Sequence, residues 1–580
     1  MKVLGTILSL IVLACTLGVL GGSRGFAADQ KPAPVMIQDF EKATPPSSVW
    51  VVGIANENAS VQLSAEHPYE GKQCLKLHYH FTGNGQYLGV NIPIKKIQTP
   101  IHKLRFMLYG DNSGCGYGVY VFDVSDETHK YRNAQTMKID FNGWKEIVID
   151  LDAPHETWGG DKNGKIDYPI SKITLEISQP NKPTEGNLYF DAVSVDSGKS
   201  AEETLGSQIA VLSPDYCSDV QGDTPVTLAA PGFKSLSVKC WKQGGQFGAD
   251  SSVATVALDA KGNGRFVFPA SVYPHGPITV TISGQNGMLK DNCYLQLYNK
   301  GGVSWNEGMP KDPPPAAKGM ALLFADDFKG PLSISSTDPK ATYYDHKPPS
   351  GWQDFSIHRF TSHESPNTPF KQVDSYLRIR ANDKTHTSGL ITSMKNDASG
   401  VTAKAPCYFE CRFIGPNAIG TWPAFWLLTD YMTDQVKGIK SPCDELDIIE
   451  AYGGEGPGAP NAYDTYMITP HRWDQGEAGK AMETQAFQTL HNPARMRKFG
   501  IPSTWYEAFH TYGCKITESD TIYYCDNIEM GRHATFPLSK QKPHFFLINL
   551  ATGGGWPVDL SRYGKVDMYV DYVRVYRGKK

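Results

Sequence analysis

Apolar and polar residues alternate with a period of two in short runs along this chain, which is the signature of half-buried β-strands. In one stretch, about Val35 to Ser197, Gln73-Cys74-Leu75-Lys76-Leu77-His78-Tyr79 and Trp144-Lys145-Glu146-Ile147-Val148-Ile149-Asp150 carry the pattern, and Asn187 to Val195 closes it. A second stretch, about Gln208 to Asn299, has shorter runs such as Leu236-Ser237-Val238-Lys239-Cys240-Trp241 and Ile278-Thr279-Val280-Thr281-Ile282, with turns every ten residues or so. That spacing suits an immunoglobulin-like sandwich serving as a spacer. Gly301 to Gly319, with Met309-Pro310-Lys311-Asp312-Pro313-Pro314-Pro315, reads as a stiff extended linker, and a further domain spans 320–580. The pattern predicts an all-β protein of three sandwiches in series.

The N-terminus breaks the pattern. Met1-Lys2, an apolar run from Val3 to about Leu20 and small residues at Gly25 and Ala27 predict a signal peptide over 1–27, hence a secreted or periplasmic protein. Val12-Leu13-Ala14-Cys15 loosely resembles a lipidation box, so anchoring through Cys15 is the competing reading. No later stretch is long and apolar enough to span a membrane. Composition adds two exclusions. Lys and Arg total 56 against 60 Asp and Glu, a net charge of -4 that gives no reason to expect nucleic acid. Cysteine spacing fits no zinc site: Cys407 and Cys411 have no second pair. The 29 Tyr and 11 Trp suit turn-rich β domains and offer flat faces for sugar rings. Cys514 and Cys525 are expected to lie opposite one another on a hairpin turning at Glu518-Ser519-Asp520-Thr521, either bridged or simply packed.

The candidate chemistry lies in Asp444-Glu445-Leu446-Asp447-Ile448-Ile449-Glu450. On a strand, Glu445 and Asp447 share a face while Leu446 and Ile448 turn into the core, and Glu450, five residues from Glu445, falls on the wrong side. One bulge residue at Ile448 or Ile449 restores it, setting three acids in a row over an apolar layer. Neighbouring carboxylates raise one another's pKa, so one stays protonated while another is ionised. That asymmetry is what glycoside hydrolysis needs: an acid for the leaving oxygen and a nucleophile for the anomeric carbon. A solvated acidic edge strand is the alternative.

The stretch resembles the active-site signature of glycoside hydrolase family 16 in its bulged form. The similarity continues, in the family's order, through Ser388-Gly389-Leu390-Ile391-Thr392-Ser393-Met394, Trp422-Pro423-Ala424-Phe425-Trp426-Leu427-Leu428, Phe509-His510-Thr511-Tyr512, Asn549-Leu550-Ala551 with Gly553-Gly554-Gly555-Trp556-Pro557, and Met568 to Tyr576. The resemblance implies a concave jelly-roll in which Glu445 matches the nucleophile, Glu450 the acid/base and Asp447 the tuning middle acid. It implies His471 as a cleft histidine. Trp422 and Trp426, four apart on a strand, share a face and form either a sugar-stacking wall or part of the core; Trp556, in a Gly-rich loop, suits stacking, and Asn549 is expected to point from its strand toward the cleft and bond a sugar hydroxyl. Asp571 matches a position that helps hold a structural calcium in many members; catalysis itself requires no metal or cofactor. The N-terminal stretch resembles, more loosely, a jelly-roll carbohydrate-binding module. The expected partner is a polysaccharide, met by a monomer: β-1,3- or mixed β-1,3/1,4-glucan first, with agar, carrageenan or xyloglucan as alternatives. The long insertion Gln475 to Ser503 and the two cysteines at 514 and 525 depart from the familiar members. A glucan-binding protein that does not cut, or an adhesive envelope protein, is the rival reading; the first should lack one or both glutamates, and both are present.

Overall fold

Strand-forming runs condense into sandwiches because each strand has one apolar face to bury. The computed structural model describes residues 33–41, 48–199, 204–205, 208–242, 251–286, 289–349, 355–454, 465–473, 481–484, 489–491, 493–554 and 558–579. The signal-peptide stretch, Cys15 and Trp556 lie outside these, as does much of the 475–503 insertion.

Residues Val35 to Asp196 form two six-stranded sheets whose facing sides share one apolar core, among it Leu75, Leu77, Val90, Val119, Ile173 and Phe190. Ala210 to Asn299 form a three-stranded and a five-stranded sheet around Val226, Val238, Val280 and Leu295. No helix among the described residues is long and apolar enough to cross a membrane.

The C-terminal sandwich is a single curled sheet that folds back on itself. Its principal strands are β1 (Tyr376–Asn382), β2 (Thr387–Thr392), β3 (Cys407–Ile414), β4 (Thr421–Thr429), β5 (Cys443–Tyr452), β6 (Thr465–Trp473), β7 (Ala481–Thr484), β8 (His510–Ile516), β9 (Asp520–Cys525), β10 (Ile528–Ala534), β11 (His544–Thr552) and β12 (Lys565–Arg577). One layer runs in the order β7-β6-β5-β4-β11-β2 and the other β1-β12-β3-β8-β9-β10, joined where β1 meets β2 at Asn382 and Thr387. Phe425, Leu427, Leu446, Ile448, Ile548 and Leu550 from the first layer meet Phe409, Cys411, Tyr512, Val570 and Val573 from the second. The other side of the first layer is left to the acids and tryptophans.

Three details depart from the sequence reading. The linker is held along its length: Arg412 Nη2 donates to the carbonyls of Asn306 (2.7 Å) and Gly308 (2.6 Å), and Arg574 Nη1 to those of Pro310 (3.1 Å) and Asp312 (3.0 Å). The middle sandwich is fixed to the C-terminal one and does not hold it at a distance. Gln296 exchanges two hydrogen bonds with the backbone of Asp567, and Arg562 Nη2 donates to both carboxylate oxygens of Asp291. Finally, Cys514 faces Tyr523 and Cys525 faces Tyr512, so the two cysteines are not opposite one another, and both are buried free thiols. The turn is set one residue earlier than expected because the Thr517 hydroxyl accepts the amides of Ser519 (3.3 Å) and Asp520 (2.9 Å), nucleating a tight turn there.

Candidate active site

The acids are presented by β5 between β4 and β6. Against β6, Glu445 pairs with His471 and Asp447 with Thr469, and the register then slips so that Glu450 pairs with Met467. Against β4, Asp447 pairs with Trp426 and Glu450 with Ala424, leaving one extra residue at Ile448 and Ile449. This is the bulge that parity requires: both isoleucines are buried, with Leu446, while Glu445 and Glu450 remain partly accessible on the opposite face. Asp444, on the core-facing side, anchors the strand. Its carboxylate accepts the amide and hydroxyl of Ser539, each at 2.8 Å.

The three acids sit in unequal surroundings. Glu450 accepts hydrogen bonds from the indole N–H of Trp422 (3.1 Å) and the phenol of Tyr452 (3.2 Å). Burial, then the charges of Asp447 and Glu445, push its pKa well above the usual carboxylate range, with His471 and the Tyr452 hydrogen bond pulling the other way. Asp447 is 3% exposed, and its pKa too is driven up by burial and by Glu445. His471 Nε2 lies 3.4 Å from Asp447 Oδ2, and its ring stacks on Trp473 at 5.4 Å. Donor atoms of Glu445, Asp447 and His471 all fall within 4.8 Å of one another. Burial and the neighbouring acids therefore favour a proton on Glu450, the state a general acid requires.

Around the acids stands an aromatic wall. Trp422 stacks on Tyr452 (5.5 Å, 21°), and Phe355 sets its edge against both Trp422 (5.6 Å) and Trp426 (6.0 Å). Trp422 and Trp426 share the face expected from their spacing. Trp426, however, is 6% exposed, with the Lys347 ammonium 5.1 Å from its ring centre. Asn549 requires a correction. It is 1% exposed and does not reach for a sugar: its Oδ1 accepts the Trp426 indole N–H (2.8 Å) and its Nδ2 donates to the Trp422 carbonyl (3.3 Å). An asparagine sandwiched between two large rings on neighbouring strands is more useful as a brace than as a ligand group.

Asp571 is the second correction. It is fully buried, but its neighbour is a cation already in the chain: Arg412 Nε donates to Oδ2 at 2.6 Å, and the Gly308 amide to Oδ1 at 3.0 Å. A guanidinium on that carboxylate repels calcium and occupies the oxygen a hard cation would need.

Sequence reasoning passed over Tyr452, Phe355 and Lys347. Tyr452 could have been found, since it lies two residues beyond Glu450 and shares its face. Phe355 and Lys347 come from a segment with no strand periodicity and offered no signal.

No family model matches the sequence. Curated proteins do. Endo-1,3-1,4-beta-glycanase EglC of Rhizobium meliloti (strain 1021) is 32% identical over 221 residues, which is 36% of this chain and 39% of that protein. The C-terminal half of the chain resembles endo-β-glucanases. Endo-1,3-1,4-beta-glycanase ExsH of the same organism is 29% identical over 202 residues, 34% of this chain and 35% of that one. Beta-glucanase of Rhodothermus marinus is 26% identical over 277 residues, 44% of this chain and 85% of that one. The match thus spans well under half the length of the two Rhizobium proteins. Among solved structures, laminarinase from Flavobacterium sp. UMI-01 is 23% identical and covers 44% of this chain and 100% of its own, with a TM-score of 0.33. SCLam, a non-specific endo-beta-1,3(4)-glucanase from family GH16, is 19% identical and covers 47% and 96%, with a TM-score of 0.34.

Proposed function

We propose that this chain is an endo-acting, retaining glycoside hydrolase of family 16 that cleaves β-1,3- or mixed β-1,3/1,4-glucan. The observation that carries the reading is the bulged strand, which sets Glu445, Asp447 and Glu450 on one accessible face with the Glu450 proton held by burial and by its acidic neighbours. The sequence likeness to β-glucanases supports the substrate class. Glu445 attacks the anomeric carbon as Glu450 protonates the departing glycosidic oxygen; the glycosyl–Glu445 ester is then hydrolysed by water that Glu450, now ionised, deprotonates. Two inversions at the same carbon retain its configuration. Asp447 and His471 lie beside Glu445, and the Trp422–Tyr452 stack offers the apolar wall on which a pyranose ring rests. We place the protein outside the cytoplasm, exported by its N-terminal segment, and acting as a monomer.

The test is a panel of laminarin, lichenan, agarose, carrageenan and xyloglucan with product size and anomeric form recorded. Internal cleavage of laminarin or lichenan with retained configuration is expected; inverted products, or cleavage of a galactan alone, would replace this reading.

The acid role fixes a pH dependence. Glu450 must be protonated for the first step, so turnover falls as pH rises through its pKa. Tyr452 donates to the ionised form and lowers that pKa. Tyr452→Phe is therefore expected to move the alkaline limb of the kcat profile to higher pH, and an unmoved limb in that variant would assign the limb to another group.

We further propose that residues 35–197 hold the enzyme on its polysaccharide. On the solvent side of one sheet Trp50 stacks on Tyr120 (6.1 Å, 26°), and Trp158, 46% exposed, meets Tyr120 edge-on at 5.7 Å. Beside them buried Glu176 is held by Lys130 and Arg132, each at 3.0 Å. Aromatic planes beside fixed polar groups suit a sugar chain. Trp158→Ala should weaken retention on insoluble glucan as much as deletion of 35–197 does, and equal retention by all three proteins would make the domain a spacer.

A further inference from the structure

A second cluster of ligand-type side chains lies away from the acids, where the segment 355–360 crosses the end of β11. His358 is 2% exposed, and its ring is oriented by Thr552: Nδ1 lies 3.0 Å from the Thr552 hydroxyl, which also accepts the His358 backbone N–H at 2.9 Å. The other ring nitrogen, Nε2, is buried with no hydrogen-bond partner. It points toward the β1–β2 hairpin, where Asp383 Oδ1 lies 3.8 Å away and the His386 ring 5.7 Å from its own. One donor atom from each of His358, Asp383 and His386 falls within 4.8 Å of the other two.

An orphaned buried nitrogen is unfavourable unless something occupies it. At 3.8 Å it is too far from Asp383 for a hydrogen bond, and turning its lone pair on a carboxylate is worse. A cation among the three resolves both conflicts. The backbones are already fixed for it: Arg359 N donates to His386 O (2.9 Å), Ile357 N to Thr552 O (3.0 Å) and Asp383 N to Gly564 O (3.0 Å). Burial and the neighbouring His386 lower the His358 pKa to about 4, so the imidazole is neutral, the form that binds metals.

We propose that His358 Nε2, His386 and the Asp383 carboxylate bind a divalent transition-metal ion of the zinc class, pinning the 355–360 segment to the β1–β2 hairpin. Two imidazoles and one carboxylate favour such an ion over calcium or magnesium, which take oxygen. Tetrahedral ligands at about 2.0–2.2 Å stand about 3.4 Å apart, so small side-chain movements close the site around the ion. His386 is exposed and Asp383 partly so, leaving the fourth position to water. The clamp would act on the cleft from behind: Phe355 rests on Trp422 and Trp426, and Ile357 contacts Gly553, whose neighbour Gly554 abuts Trp422. The proposal does not depend on the catalytic reading.

The experiment compares the full chain with His386→Ala and Asp383→Asn, both at accessible turn positions. Each is stripped with a chelator, equilibrated with zinc sulfate, desalted and analysed for bound metal, and its melting temperature is read with and without zinc. Other acid–histidine groups, around Asp123 and around Glu445, mean that the difference between proteins carries the result. The full chain should retain one more zinc per molecule than either variant and show a zinc-dependent rise in melting temperature that both variants lose. Loss of a direct ligand should weaken binding by at least about tenfold, since even outer-sphere partners are worth that much. Equal zinc content in all three proteins, or an equal thermal shift, would overturn the site.

Discussion

Glu445→Ala is expected to abolish hydrolysis of glucan while leaving the fold intact, and Glu450→Gln to lower it by about 10²–10⁴-fold, the usual worth of a positioned general acid. The two losses should differ in kind. Without Glu445 no covalent intermediate forms with any substrate. Without an acidic proton at Glu450, the first step suffers in proportion to how basic the departing oxygen is. An aryl β-glucoside oligomer with an acidic phenol needs little protonation. Glu450→Gln should therefore release phenol from it in a burst, then stall for want of a base, whereas Glu445→Ala releases none. Neither substitution threatens folding: both carboxylates are partly accessible, and replacing Glu450 removes a group that burial already disfavours in its charged form. The measurement is single-turnover phenol release beside polysaccharide turnover, with circular dichroism as the folding control. A burst from Glu445→Ala, or undiminished polysaccharide cleavage by it, would remove the nucleophile assignment.

What could be read in the sequence was what depends on local periodicity. The bulge at Ile448–Ile449 follows from counting: two isoleucines between Asp447 and Glu450 break the alternation, and only an extra unpaired residue keeps both isoleucines off the acidic face. The all-β architecture follows from the same alternation. What could not be read is the pairing of residues far apart in the chain. Arg412 and Asp571 are 159 positions apart and meet only because β3 and β12 are neighbours. Asn549 meets Trp426 across β4 and β11 for the same reason. In both, a residue type that suits a ligand role had a protein partner instead. The cysteine register failed on a smaller scale: the strands were right, but the turn is set by one threonine hydroxyl, and a shift of a single turn residue displaces every cross-strand pair by two. His358, Asp383 and His386 carried no signal, since they lie outside any spaced metal motif and converge only where two loops touch.

Arg412→Met is expected to destabilise the C-terminal sandwich by about 3–5 kcal/mol, because it leaves Asp571 as a buried carboxylate without its cation. Arg412 is 9% exposed and Asp571 fully buried, so water cannot take over the lost interaction. Burial already raises the Asp571 pKa, and Arg412 is the first of the influences that lower it. With the guanidinium gone, the carboxyl takes up a proton at higher pH, and the loss of stability should grow as pH rises, because the buried carboxyl must then ionise without its cation. The same substitution frees the Asn306 and Gly308 carbonyls and removes a cation from over the Trp305 and Tyr572 rings, at 5.2 and 4.8 Å. The linker should then become accessible to protease between the middle and C-terminal sandwiches. The decisive comparison is the double variant Arg412→Met with Asp571→Leu. If the penalty is an uncompensated charge, removing the second charge recovers much of the stability, and the two substitutions are strongly non-additive. If Asp571 instead served a bound calcium, a calcium-selective chelator would destabilise the unmodified chain and the double variant would be no better than the single ones. Chemical denaturation of the four proteins, followed through the C-terminal transition and with and without the chelator, separates the two accounts.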